Sequence, residues 1–181
     1  MENQEVEVNN TQHSLKWGAI LGLISVIITL VIYMIDITIM ASSARGIISF
    51  VIYVAIVIYA GRDYRSKVGG YMSFKDAFLH SFVVLSVSGF IGVVFNILLF
   101  TVIDPEAANI LIDVTMENTM KSMEVLGGAS NEIMDEMAKG IREGYSVVGQ
   151  AQGYLYLLIF YAIGALIIGA INKKKNQEEE F

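Results

Sequence analysis

Residues 78–103 read FLHSFVVLSVSGFIGVVFNILLFTVI, and this stretch decides the fold. It contains no Asp, Glu, Lys or Arg, and hydroxyls apart, its only polar side chains are His80 and Asn96. A helix rises about 1.5 Å per residue, so a run of this length crosses the roughly 30 Å of a bilayer's hydrocarbon layer with some left over for tilt. A helix at the core of a water-soluble domain would show polar residues every few positions. Three similar blocks flank it. The spans are expected at about residues 17–35, 45–61, 77–103 and 152–171, within a membrane domain covering 15–172. The fold class is therefore an all-α integral membrane protein with four transmembrane helices.

Composition agrees. Of the 181 residues, 55% are hydrophobic and 17% charged, where soluble domains carry about 45–50% and about 25%. The absence of cysteine excludes thiolate catalysis, disulfides and cysteine-ligated metals. The net charge of -6 argues against nucleic acid as a partner, because phosphate-binding surfaces need clustered Lys and Arg. The expected partners are the lipid bilayer and a homo-oligomer or another membrane protein.

Charge asymmetry sets the expected orientation. With both termini inside, the inner segments carry Lys16, Arg62, Arg65, Lys67, Lys75, Lys173, Lys174 and Lys175, and the outer ones carry Arg45, Lys121, Lys139 and Arg142. Eight inner bases against four outer favour both termini in the cytoplasm of a bacterial inner membrane. Residues 1–14, with Glu2, Glu5 and Glu7, read as a disordered cytoplasmic tail, and 173–181 as a second charged cytoplasmic tail. A cleaved signal peptide fits the first block less well, since the leader is acidic and the block long. Arg45 opens a short second block and is expected to snorkel to the interface. Trp17, Tyr59 and Tyr64 belong near the inner interface, Tyr33 and Tyr154 near the outer one.

Residues 104–149 are expected to form an extracytoplasmic helical hairpin. Asp104-Pro105-Glu106 is a helix start, Gly127-Gly128 a stop, and Ser130 a cap for a second helix from Asn131 to about Val148. No proline separates that helix from the fourth span. The hairpin holds Asp104, Glu106, Asp113, Glu117, Glu124, Glu132, Asp135, Glu136 and Glu143 against three bases. These acids form either a cation-collecting mouth or a solvated surface, and their spacing is not that of a calcium loop. Ala107, Ile110, Leu111, Val114 and Val125 define one apolar face, with Met116, Met120 and Met123 opposite. Thioethers suit Cu(I), but methionine more often packs at adaptable surfaces, and here it has Met134, Met137, Ala138, Ile141, Tyr145 and Val148 as candidates to meet. No metal ligands or cofactor are assigned.

Polar residues within spans are costly, so Asn96, His80 and Asp36 are the candidates for chemistry. Asn96 reads as a substrate contact or, more simply, an interhelical hydrogen bond. His80 reads as an interfacial group, with proton relay as the alternative. Asp36 falls at the opposite end and should not pair with it. The small-residue steps Gly18/Gly22 (extended by Ser25 and Thr29), Ser88/Gly92/Asn96 and Ala165/Gly169 let helix backbones approach closely, inside the bundle or between copies. Ser73 and Asp76 can cap a helix together. Enzyme signatures such as HExxH, GxSxG, a P-loop or a dinucleotide fingerprint are missing. No catalytic or cofactor-binding residues are assigned, and the chain is not read as an enzyme.

Gly69-Gly70-Tyr71-Met72-Ser73-Phe74-Lys75-Asp76-Ala77-Phe78, leading to a long span that ends Phe100-Thr101-Val102-Ile103-Asp104-Pro105, resembles the bacterial membrane family catalogued as domain of unknown function 4199. The plan is similar too, with two spans, a GG-x-[IM]-S-F loop, a third span, an outer helical segment and a fourth span, over residues 14 to 172. The resemblance implies a four-span inner-membrane protein and supplies no activity or catalytic residues. The expected role is a non-catalytic accessory or scaffold subunit of an envelope complex. The alternative is a small oligomeric transporter or channel with an acidic extracytoplasmic mouth.

Overall fold

The computed structural model describes residues 9–175. Its helices are α1 (Asn10–Ile35), α2 (Ser43–Lys67), α3 (Phe74–Leu98), α4 (Pro105–Val125), α5 (Asn131–Gly144) and α6 (Val147–Asn172). A 3-10 turn over Ile37–Ala41 joins α1 to α2, and a π-helical turn over Leu99–Ile103 extends α3. Among the described residues there is no strand, only a bridge in which Met72 and Lys174 exchange N–H···O bonds of 2.9 Å. α1, α2, α6 and α3 with its π turn are each long and apolar enough to cross a membrane.

The helix starts follow local chemistry. Asn9 Oδ1 accepts from the amides of Thr11 and Gln12 at the head of α1. At α3, Ser73 Oγ accepts from the Asp76 amide and donates to its carboxylate at 2.6 Å. Asp104 Oδ1 accepts from the Ala107 amide ahead of Pro105 in α4. α4 stops where Gly127 and Gly128 take φ of 104° and 84°, a left-handed conformation that costs glycine nothing.

Two boundaries differ from expectation. The disordered segment expected over 1–14 ends earlier, because Asn10–Ser14 already belong to α1, with His13 and Ser14 buried. Residues 1–8 and 176–181, including Glu178–Glu180, lie outside the described residues. The second outer helix does not run to Val148 or into the fourth span. It stops at Gly144, because the Ser146 hydroxyl bonds the Glu143 carbonyl on one side and caps the Gly149 amide of α6 on the other. Serine can break a helix as proline does, by offering the backbone a competing partner.

α3 is the central helix, packed between α1 and α6. The small-residue steps make this possible. A methyl placed on Gly18 would sit 2.7 Å from Val87 Cβ, and one on Gly22 2.7 Å from Ile91 Cδ1. On the other side, Gly169 lies against the backbone of Phe78, 3.0 Å from where its own Cβ would stand. The apolar core is Leu21, Val57, Val84, Leu85 and Ile168. α2 contributes only Val57, Ala60, Gly61 and Tyr64 to the buried interior, all from its second half. In its first half Ile47, Ile48, Phe50 and Val51 are exposed on the bundle surface. α4 covers the opposite end with Ala107 and Leu111 against Leu99 and Phe100. Beyond that contact the apolar face fails, with Val125 87% exposed. No residue of α5 is buried.

Candidate functional site

Two polar loci lie at opposite ends of the bundle. The first is at the end where α1 begins and α6 ends. Periodicity brings His13 and Trp17 to one face of α1, and Asp63 and Lys67 to one face of α2, each pair four residues apart. α3 brings His80. Asp63 Oδ2 accepts from Lys67 Nζ at 2.7 Å, His13 Nε2 at 2.9 Å and Trp17 Nε1 at 3.2 Å. The other nitrogen of His13, Nδ1, lies 2.9 Å from His80 Nε2. Tyr64 stacks on His80, with centroids 5.3 Å apart and planes at 23°.

This geometry fixes the protons. The Asp63 carboxylate, ion-paired with Lys67, only accepts, so His13 donates from Nε2 and, as a neutral ring, accepts at Nδ1. His80 therefore donates from Nε2, which leaves Nδ1 as a bare acceptor. That atom is buried and has no partner among the described residues. The result is an aspartate–histidine–histidine chain that can relay a proton from His80 Nδ1 towards Asp63. His80 lies in the second turn of α3, near the end of its span as expected, and is 0% exposed inside the bundle. Its burial is tolerable because His13 satisfies one nitrogen and the other is an acceptor, which costs less to leave unpaired than a charge.

The second locus is sixteen residues further along α3, about 24 Å away at 1.5 Å per residue. Arg45 of α2, Asn96 of α3, and Tyr145 and Gln150 around the α5–α6 junction line a pocket of about 230 Å³, walled by Met40, Phe100 and Leu111. Arg45 Nη1 reaches only the Met40 carbonyl, at 3.4 Å, and its Nε is buried with no partner. Gln150 Nε2 donates to the Tyr145 carbonyl at 3.1 Å. Arg45 thus stands near the head of α2 with its side chain against protein. Tyr33 donates to Asp104 at 2.8 Å, and with the Ala107 amide this holds that carboxyl below the usual carboxylate range. Asp36 is at this end too, bonded to the Thr38 hydroxyl and amide, which lower it likewise.

So the structure separates Asp36 from His80 as expected, and places Asn96 beside Arg45. Met116 and Met123 are half-buried and Met120 is 49% exposed. His13, Asp63 and Trp17 were missed as site residues. His13 falls in the stretch 1–14 that reads as a tail, and Asp63 just beyond the expected second span, 45–61. The available signal was Asn9 as a helix cap, which would have drawn His13 into the first span.

The sequence matches the family model described as protein of unknown function (DUF4199) over residues 16–174. No curated protein and no solved structure matches the chain.

Proposed function

The chain belongs to the DUF4199 family of proteins of unknown function, and from its own surface we propose that it is a non-catalytic accessory or scaffold subunit of a complex in the bacterial inner membrane. The observation that carries this reading is α5. Ile133, Met134, Met137, Ala138 and Ile141 recur at helical spacing on one face, with Glu132, Asp135, Glu136, Lys139, Arg142 and Glu143 around the rest. A stable surface helix buries its apolar stripe, yet Met134, Met137, Ala138 and Ile141 are only half-buried and Ile133 is 49% exposed.

The occupant we infer is a partner protein with apolar anchors in a basic setting. Charge complementarity motivates this, since the segment from Asp104 to Gln152 has nine acids and three bases. An extracytoplasmic α4–α5 hairpin would present that face beyond the bilayer. A photo-crosslinking residue at Met137 in native membranes should trap one discrete partner, and the same probe at Glu136 should not. Glu132→Lys with Glu136→Lys should abolish the crosslink. Trapping only a second copy of this chain would sink the accessory reading and favour the oligomeric transporter. Any such path would have to run between copies, because the apolar core of Leu21, Val57, Val84, Leu85 and Ile168 lies between the two polar loci.

A further inference from the structure

We propose that the pocket at the head of α2 binds a phosphate oxyanion, that of an anionic lipid headgroup, with Arg45 as its principal ligand. The first observation is electrostatic. Arg45 lies in the first turn of α2, where unsatisfied amides make the helix end positive. That turn has no acidic residue, and the Ser42 cap makes no side-chain hydrogen bond. A guanidinium there is repelled by its own helix unless an anion joins them.

The second observation is that, among the described residues, none supplies that anion. Arg45 forms no ion pair with any described residue, and its buried Nε has no acceptor. Of the acids at this end, Asp36 bonds Thr38, and Asp104 bonds Tyr33 and the Ala107 amide. Arg45 thus brings to the wall of the cavity a charge that no described acid balances, with a 3.4 Å contact to the Met40 carbonyl as its one hydrogen bond.

The third observation is the rest of the lining. Asn96 has no side-chain hydrogen bond among the described residues, and the Tyr145 hydroxyl has only a 3.4 Å contact to Thr115. Fork, amide and phenol can all donate to one tetrahedral oxyanion. A pocket of about 230 Å³ accommodates a phosphate group, and with it a few waters at about 30 Å³ each. Depth argues for a lipid source. Arg45 stands two residues into α2, where a candidate membrane span begins, and the exposed Ile47, Ile48, Phe50 and Val51 just beyond it offer apolar surface to acyl chains. This inference does not depend on the accessory role.

The test uses the full chain, purified and delipidated in detergent. Short-chain phosphatidylglycerol, inorganic phosphate and a phosphate-free glycolipid are compared by thermal shift, with native mass spectrometry of retained lipid. Phosphatidylglycerol should stabilise the wild type and stay bound, and the glycolipid should do neither. Arg45→Gln should weaken binding about tenfold or more, as loss of a charge-assisted donor pair would. Asn96→Leu should weaken it less. Inorganic phosphate stabilising as well as the lipid would overturn the lipid source while upholding the oxyanion chemistry. Equal retention by wild type and Arg45→Gln would overturn the proposal. Should Arg45→Gln fail to fold, Arg45→Lys keeps the charge without the fork, and unchanged binding by that variant overturns it equally.

Discussion

At the scale of single residues, the histidine chain makes the sharpest prediction. Because Asp63 accepts and His13 must relay, His80 is held as the Nε2–H tautomer with Nδ1 bare. Nitrogen-15 NMR of histidine-labelled protein at neutral pH should show one ring nitrogen of each histidine protonated, with a hydrogen-bonded His13 Nδ1. A doubly protonated His80 would contradict the geometry. Asp63→Leu should cost roughly 1–3 kcal/mol, since it strands the N–H groups of His13 and Trp17 without an acceptor; reversible unfolding in mixed micelles measures it. Asp104 gives a pH prediction. Its carboxyl is held low by Tyr33 first and the Ala107 amide second, so its contribution to stability is fully present above the ordinary carboxylate value of about 3.9. It is lost as pH falls through the lower folded value. Tyr33→Phe should shift the acid-induced opening of residues 104–112 to higher pH, read by hydrogen exchange.

At the scale of elements, the small-residue steps were legible as packing surfaces, but not what they pack against. Gly18 and Gly22 serve α3 within the same chain, through Val87 and Ile91. Gly22→Leu should force α1 off α3 and destabilise the bundle by about 1–3 kcal/mol. A variant that instead lost only self-association in a dimerisation assay would show that this face serves another copy. The helix ends were partly legible. Ser73, Asp104 and Gly127-Gly128 act as their sequence suggests, since caps and glycine stops work through neighbours two to four residues away. The break at Ser146 was not, because a serine inside a helical pattern is a stop only when its hydroxyl turns to the backbone.

At the scale of the whole molecule, the two ends differ in how they are tied. The terminal end is cross-linked by the histidine chain, the Met72–Lys174 bridge and bonds of 3.0 Å from Asn10 to the Asp76 carbonyl and from Arg65 to the Asn172 carbonyl. At the other end α2 stands off and leaves a pocket. Since the chain has no cysteine, single cysteines report topology without background. Ser66→Cys and Gly128→Cys should react with a membrane-impermeant maleimide from opposite sides, and the proposed orientation has Gly128→Cys labelled from outside intact cells. Labelling of both from one side would break the four-span arrangement.

Residues 78–103 and their three sister blocks were enough to establish an all-helical chain with four helices long and apolar enough to span a membrane. Hydrophobic length is a one-dimensional property, and a bilayer reads it directly. The histidine chain and the Arg45 pocket were decided only by the tertiary structure. His13 and His80 stand 67 residues apart, and Arg45 and Asn96 belong to different spans. Each residue alone reads as an ordinary interfacial or interhelical polar group. Their chemistry comes from sharing one depth on facing helices, which depends on how the glycine-lined faces of α1 and α6 dock on α3 and on where α2 leaves the bundle.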